Sequence, residues 1–175
     1  MDWQERIRNL WVERMVWIRH YIISLMMRLR DLSYVATRTL RNGTEFGQVF
    51  MVIYGTQIGV RFENVLTQHV LILSDLASTA RTGADISVLE PSWTANADSF
   101  ISLLLEINPY WVHEDWQAII YEQFSIEVEL IHHLNQNRYA EGIAQFDRAH
   151  DNALRISRKM VEGIARQLGE TMLYG

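Results

Sequence analysis

Apolar residues recur at intervals of three and four residues along almost the whole chain, and this periodicity constrains the fold more than any other feature. The alternation with period two that is typical of half-buried strands is almost absent, and only two prolines occur in 175 residues. A chain with this pattern buries one face of each helix against other helices. The sequence therefore predicts an all-α fold.

Turn signals divide this pattern into helices. The first predicted helix runs from about Asp2 or Trp3 to Leu29, and two shorter helical pieces, 33–40 and 44–54, are separated by the turn signal Asn42-Gly43. The next predicted helix follows Gly55 and ends near Arg81, and another begins at the capping box Ser87-Val-Leu-Glu90, continues through Trp93 and ends at Asn108-Pro109. The last two run from about Asp115 to Leu134 and from about Tyr139 to Leu168, where Gly169 marks the helix end.

The connections between these predicted helices are short, which is typical of antiparallel neighbours. We expect an up-down antiparallel bundle of four to five long helices with a short helical crossover at about 31–54. No linker or low-complexity segment interrupts the chain, so residues 1–175 are predicted to form a single helical-bundle domain.

Composition narrows the classes of function. Cysteine is absent, which excludes disulfides, thiolate metal sites and cysteine nucleophiles. The most hydrophobic window, Met15 to Met27, is interrupted by Arg19 and His20, so we expect a cytoplasmic protein without a membrane span. Neither a P-loop nor a Gly-x-Gly-x-x-Gly turn is present, and no nucleotide cofactor is expected.

Charge is distributed unevenly along the chain. Residues 1–42 carry eight arginines against four acids, whereas residues 43–137 carry two arginines against twelve acids. The net charge of −5 argues against nucleic acid as a partner, and complementary packing inside the molecule accounts for the asymmetry. The apolar content is sufficient for a homodimer, but no segment specifies one or identifies another protein partner.

Polar residues interrupt the apolar face of each long predicted helix. Burying one such group without a partner costs on the order of 1–3 kcal/mol, and a charged group costs more. We therefore expect these residues to meet and satisfy one another in a buried polar cluster. The members are Arg14, His69, Asn96, Gln123, Glu127, Glu129, Asp147 and His150.

One interpretation of this cluster is a metal site. His69, Asp147 and His150 would be ligands, with Glu129 or Glu127 completing the shell, and these donors suit iron, zinc or manganese. Two acid-x-x-His pairs, Glu129-Leu-Ile-His132 and Asp147-Arg-Ala-His150, are similar to the Glu-x-x-His signature of di-iron bundles.

Two other interpretations remain open. In the first, the cluster is a buried ion-pair network in which Arg14 is the cation, and the protein is a non-catalytic structural or interaction module. In the second, Arg14, His69 and Gln123 bind a small carboxylate ligand between the helices. The sequence does not select among the three interpretations, so whether the protein is an enzyme is left open.

Several segments resemble a family of uncharacterised bacterial helical-bundle proteins, to which metalloprotein-like bundles are structurally related. The segments are Leu10-Trp11, Trp17-Ile18-Arg19, Leu66-Thr67-Gln68-His69, Trp93-Thr-Ala-Asn-Ala-Asp98, Ile107-Asn-Pro-Tyr-Trp111 and Phe146-Asp147. The resemblance covers nearly the whole chain, and it implies a bundle fold and a histidine-rich metal site in the interior.

The chain departs from that family at the implied site. The family pattern places histidine at the positions of Arg14 and Gln123 and an acid at the position of His150, whereas His69, Glu129 and Asp147 keep the expected chemistry. A guanidinium cannot act as a metal ligand, and its charge repels a cation. The resemblance therefore implies a degenerate site in which Arg14 takes the place of a metal.

Overall fold

A computed structural model of the protein describes residues 3–174, with side chains described as far as residue 169. Within this range it contains α-helices and one short 3-10 turn, Ile86–Leu89, but no strand, so the predicted all-α class is confirmed. The helices are α1 (Trp3–Met26), α2 (Leu32–Tyr54), α3 (Thr56–Arg81), α4 (Glu90–Ile107), α5 (His113–Asn135) and α6 (Tyr139–Tyr174). None of them is long and apolar enough to cross a membrane.

The predicted short crossover at 31–54 is wrong, because α2 is one continuous helix of 23 residues. Asn42 and Gly43, the expected turn, lie inside this helix and are buried. The Asn42 amide donates to the Leu10 carbonyl in α1 at 3.0 Å. At Gly43, a Cβ would lie 3.4 Å from the side chain of Thr67 in α3. Asn42 and Gly43 therefore pack α2 against α1 and α3. The described chain has six α-helices, where four to five were expected.

Helices α2 and α3 lie unusually close together. Gly55, with φ +90°, is the single residue between them. The two backbones meet at Gly47 and Gly59, where a Cβ on Gly59 would lie 2.5 Å from the Gly47 carbonyl. A glycine at each position is what permits this separation. The pair forms a compact hairpin against which α1 packs.

The directions of neighbouring helices follow from their contacts. In α2, Thr39 donates to the Trp17 carbonyl of α1, and Asn42, which comes later, donates to Leu10, which comes earlier. The two helices are therefore antiparallel. The same reversal in α5 and α6 is shown by the contacts Glu129–Gln145, Glu122–Arg155 and Asp115–Lys159.

An aromatic cluster packs beside the centre of the molecule. Phe50 and Phe62 stack with ring centroids 3.6 Å apart, and Phe62 meets Phe100 edge-on at 5.3 Å. Trp11 and Phe46 complete it, with centroids 5.1 Å apart. Aromatic pairs in these geometries add roughly 0.5–1.5 kcal/mol to the burial of their area. The cluster fixes α1, α2, α3 and α4 around the polar groups described next.

Candidate functional site

His69 lies near the middle of α3 and is 6% exposed. Its Nδ1 is 2.6 Å from Arg14 Nη2, and its Nε2 is 2.7 Å from Glu127 Oε2. Arginine has only donors, so Nδ1 must be the unprotonated acceptor. The proton is consequently on Nε2 and is donated to Glu127. His69 is therefore a neutral bridge between a cation from α1 and an anion from α5.

Arg14 is 1% exposed, and other helices supply its further partners. It donates to the Leu66 carbonyl in α3 at 3.1 Å and to Asn42 Oδ1 in α2 at 3.4 Å. Burial lowers the pKa of Arg14 to about 10, and the negative charge of Glu127 opposes that shift. The guanidinium therefore remains protonated at neutral pH.

Glu127, which is 1% exposed, continues the hydrogen bonds toward α6. Its Oε1 accepts from Gln123 Nε2 at 3.0 Å. The Gln123 oxygen in turn accepts from Asn152 Nδ2 in α6 at 3.0 Å, and Asn152 also donates to the Ile119 carbonyl. Both carboxylate oxygens of Glu127 are thus hydrogen-bonded within the protein.

These contacts form one continuous chain of side chains, which we call the central network. It links α2, α1, α3, α5 and α6, and it contains one positive and one negative charge. Hydrogen bonds satisfy the buried ends of the chain as well as its middle. Its members, in order, are Asn42, Arg14, His69, Glu127, Gln123 and Asn152.

The helical period explains why these residues converge. In α1, Arg14 shares its face with Ile7, Leu10 and Ile18, all of which are buried. Residues three, four and seven positions apart lie on one face of a helix. A polar residue on such a face cannot reach water, and it must therefore find partners on the facing helices.

Three of the predicted cluster residues lie elsewhere, and the expectation that they join it is wrong. Glu129 is about half exposed and accepts from Gln145 at 2.6 Å and from Arg148 at 3.3 Å. It is two positions from Glu127, and residues with that spacing do not share a helix face. Asp147 is exposed, and His150, with its side chain 40% exposed, lies 3.8 Å from Asp151.

Asn96 also lies outside the central network. It is partly buried, and its amide donates to the Val65 carbonyl in α3 at 3.0 Å. It lines a small cavity together with Arg14, His69 and Gln123. The volume of that cavity is about 20 Å³, which is roughly the space that one water molecule requires.

The donor set does not fit the predicted metal site. Among residues 3–169, whose side chains are described, no group of three or more histidine or carboxylate side chains is arranged to hold a metal ion. Both ring nitrogens of His69 are engaged, and a guanidinium fixed 2.6 Å from Nδ1 would repel a cation. The other predicted ligands, Glu129, Asp147 and His150, lie on partly or fully exposed surfaces.

Two members of the central network were not predicted from the sequence. Asn42 was assigned to a turn because Gly43 follows it. Asn152 lies on the buried face of α6 between Ala149, Ala153 and Ile156. The small alanines weaken the apolar signal of that face, although Ala149, Ala153 and Ile156 follow one another at intervals of four and three residues, which is the helical spacing.

No protein-family model, curated protein or solved structure matches the chain. The function must therefore be argued from the geometry of the chain itself.

Proposed function

We propose that this protein is a non-catalytic structural or interaction module and that its central network is an ion-pair network that fixes how the helices pack. In this proposal the helices alternate in direction around the network, and the protein acts on its partners through its surface.

A single observation carries the proposal: the reactive groups at the centre are hydrogen-bonded to one another and adjoin no space large enough for a second reactant. Both ring nitrogens of His69 are engaged, and each carboxylate oxygen of Glu127 accepts a hydrogen bond. A general base, a nucleophile or a metal ligand needs a free lone pair directed at a site where a second molecule can bind. The adjoining cavity of about 20 Å³ does not offer such a site.

The physical role of the network is specificity of packing. Buried ion pairs contribute little net stability, because the cost of removing both charges from water offsets their attraction. Loss of one partner is costly, however, since it leaves an uncompensated buried charge. Arrangements of the helices that separate Arg14 from Glu127 are therefore disfavoured, and the native packing is selected.

We further propose that Arg14 occupies the position of a cation. Its guanidinium supplies the positive charge that His69 and Glu127 face. This accounts for the departure of the chain from the family that it resembles, where the resemblance implies a metal. A fixed charge of this kind requires no cofactor to be loaded.

Metal analysis tests this proposal. Protein purified without an affinity tag is expected to contain no stoichiometric iron, zinc or manganese, and its melting temperature should not change when a chelator or any of these metals is added. The matched variants are His69→Ala and the exposed His132→Ala. A stoichiometric metal that is lost in His69→Ala and retained in His132→Ala would overturn the proposal.

Nitrogen NMR of the His69 ring supplies an independent test. The geometry requires Nε2 to carry the proton and Nδ1 to be unprotonated at neutral pH. Long-range proton–nitrogen correlation spectra distinguish the two tautomers. A spectrum in which Nδ1 carries the proton would contradict the bridging role of His69.

A further inference from the structure

A groove of about 380 Å³ lies on the surface between the start of α1 and the middle of α6. Its volume is within the range of small-molecule sites in proteins, unlike that of the cavity at the centre. Glu5 and Arg8 line it from α1, and Leu154, Arg158 and Val161 line it from α6.

Arg8 and Arg158 are the source of its positive charge. Within the described part of the chain, neither guanidinium forms an ion pair or a hydrogen bond with another residue. Arg155, one turn earlier in α6, shows the contrast, because it donates to Glu122 at 2.6 Å. One carboxylate, from Glu5, lines the groove against two guanidinium groups, so the charge of its lining is positive.

Apolar walls accompany these charges. Leu154 and Val161 are partly buried and line the groove on the α6 side. Ser157 is buried between them, and its hydroxyl proton is donated to the Leu154 carbonyl. The groove therefore offers two cationic donors next to an aliphatic surface.

We propose that this groove binds a small organic anion. Arg8 and Arg158 hold its anionic head group, and a short aliphatic body packs against Leu154 and Val161. Guanidinium groups form strong hydrogen bonds with carboxylates and with phosphates. An anion bound between the two guanidinium groups also offsets the repulsion of their positive charges. Aliphatic carboxylates and alkyl phosphates share this chemistry.

Two other surface cavities in the described part of the chain lack this combination. The cavity beside Ser87 is lined by the acids Glu90 and Asp98. The cavity beside Asn64 contains Arg61, but Glu106 already binds that guanidinium through both carboxylate oxygens at 2.6 Å. The groove between α1 and α6 is therefore the better anion site.

The test uses the full chain with hexanoate and hexyl phosphate as probes, and hexylamine as a cation with the same aliphatic body. Isothermal titration measures affinity, and the Nε–Hε signals of arginine in nitrogen-15 spectra identify the residues involved. We expect saturable binding of at least one anion, no binding of hexylamine, and shifts of the Arg8 and Arg158 signals. The two anion arms distinguish a carboxylate from a phosphate head group.

Variants make the assignment specific. The double variant Arg8→Gln with Arg158→Gln is expected to weaken binding at least tenfold, while the matched control Arg155→Gln binds like the unaltered protein. All three side chains are exposed, so the variants should keep the helical circular dichroism and melting temperature of the parent chain. Absence of saturable binding by both anions, or equal binding by the double variant, would overturn the proposal. Neither outcome depends on the metal analysis of the centre.

Discussion

The pair formed by Arg14 and Glu127 lies at the centre of the molecule, whereas the pair formed by Arg61 and Glu106 lies on its surface. Arg14 and Glu127 do not touch and are joined through His69. Arg61 and Glu106 touch directly through two hydrogen bonds of 2.6 Å, and their side chains are 40% and 54% exposed. By distance alone, the surface pair is the stronger one.

Burial, and not distance, decides how much the loss of one partner of an ion pair lowers the stability of the protein. Water solvates either charge of the surface pair when its partner is removed, so such pairs contribute little. The central charges have no access to water, and each depends on the network for its hydrogen bonds. The following predictions test this contrast, beginning with the largest effect.

Removal of the central cation should have the largest consequence. We expect Arg14→Met to lower the free energy of unfolding by about 3–5 kcal/mol, because Glu127 then remains buried without a compensating charge. Urea unfolding followed by circular dichroism measures this. Adding Glu127→Gln should recover part of the loss, and strictly additive effects of the two substitutions would contradict the coupling.

Loss of the His69 side chain should have the second-largest effect on the free energy of unfolding. We expect His69→Leu to lower the free energy of unfolding by about 2–3 kcal/mol, since it removes a hydrogen bond from each of two buried charged groups. His69→Gln retains a donor and an acceptor and should cost less in the same urea experiment. If both variants lose the same stability, the histidine contributes volume and not hydrogen bonds.

Substitution of Asn152, at the α6 end of the central network, should lower the free energy of unfolding less than substitution of Arg14 or His69, because Asn152 is neutral. Asn152→Ala leaves the Gln123 side-chain oxygen and the Ile119 carbonyl without this donor, and we expect a loss of about 1–2 kcal/mol by urea unfolding. Asn135→Ala, an exposed position at the end of α5, is the matched control and should be close to neutral.

Breaking the surface pair should have almost no effect on stability. We expect Arg61→Ala to unfold at the same urea concentration as the unaltered protein, within the error of the measurement, because both side chains are solvated. A clear loss of stability in this variant, comparable with that of Arg14→Met, would refute the contrast between the two regions.

The surface pair should instead be visible in its titration. The hydrogen bond from Arg61 holds the pKa of Glu106 below its ordinary value of 4.5, and Arg61→Ala should raise that pKa. A lowered folded-state pKa stabilises the fold above the unfolded-state pKa, and this contribution is lost as pH falls through the folded-state value. Carbon-13 titration of the Glu106 carboxylate measures the shift.

The helical periodicity was sufficient to predict the fold class and most helix ends. Pro109 predicted the end of α4, which is at Ile107. The polar segment 135–138 predicted that α6 begins at about Tyr139, where it does begin. Glycine residues predicted turns and helix ends less well than the apolar periodicity did. Gly43 was taken to mark a turn and Gly169 a helix end, yet α2 and α6 continue through them. A glycine that allows helices to approach cannot be distinguished by sequence from one that ends a helix.

Four of the residues expected in the polar cluster lie together in the structure, and these are the ones on the densest apolar stripes. Arg14, His69, Gln123 and Glu127 have large apolar neighbours at helical spacing, and they converge. In α6 the buried face was misplaced by a few residues, because the prediction put Asp147 and His150 on it. The face that is buried contains Ala149, Asn152, Ala153 and Ile156. Which face of α6 is buried depends on how the helix is rotated about its axis when it packs against α5, and no local sequence pattern specifies that rotation.

Asn42 followed by Gly43 has a chemical consequence of its own. In flexible segments an asparagine before glycine loses its amide readily, because the next backbone nitrogen attacks the side-chain carbonyl. Here the asparagine is fully buried within a helix, and its amide is held by the Leu10 carbonyl. Deamidation therefore requires α2 to open locally. The rate at which aspartate and isoaspartate accumulate at position 42 consequently reports the fraction of molecules in which this part of α2 is open.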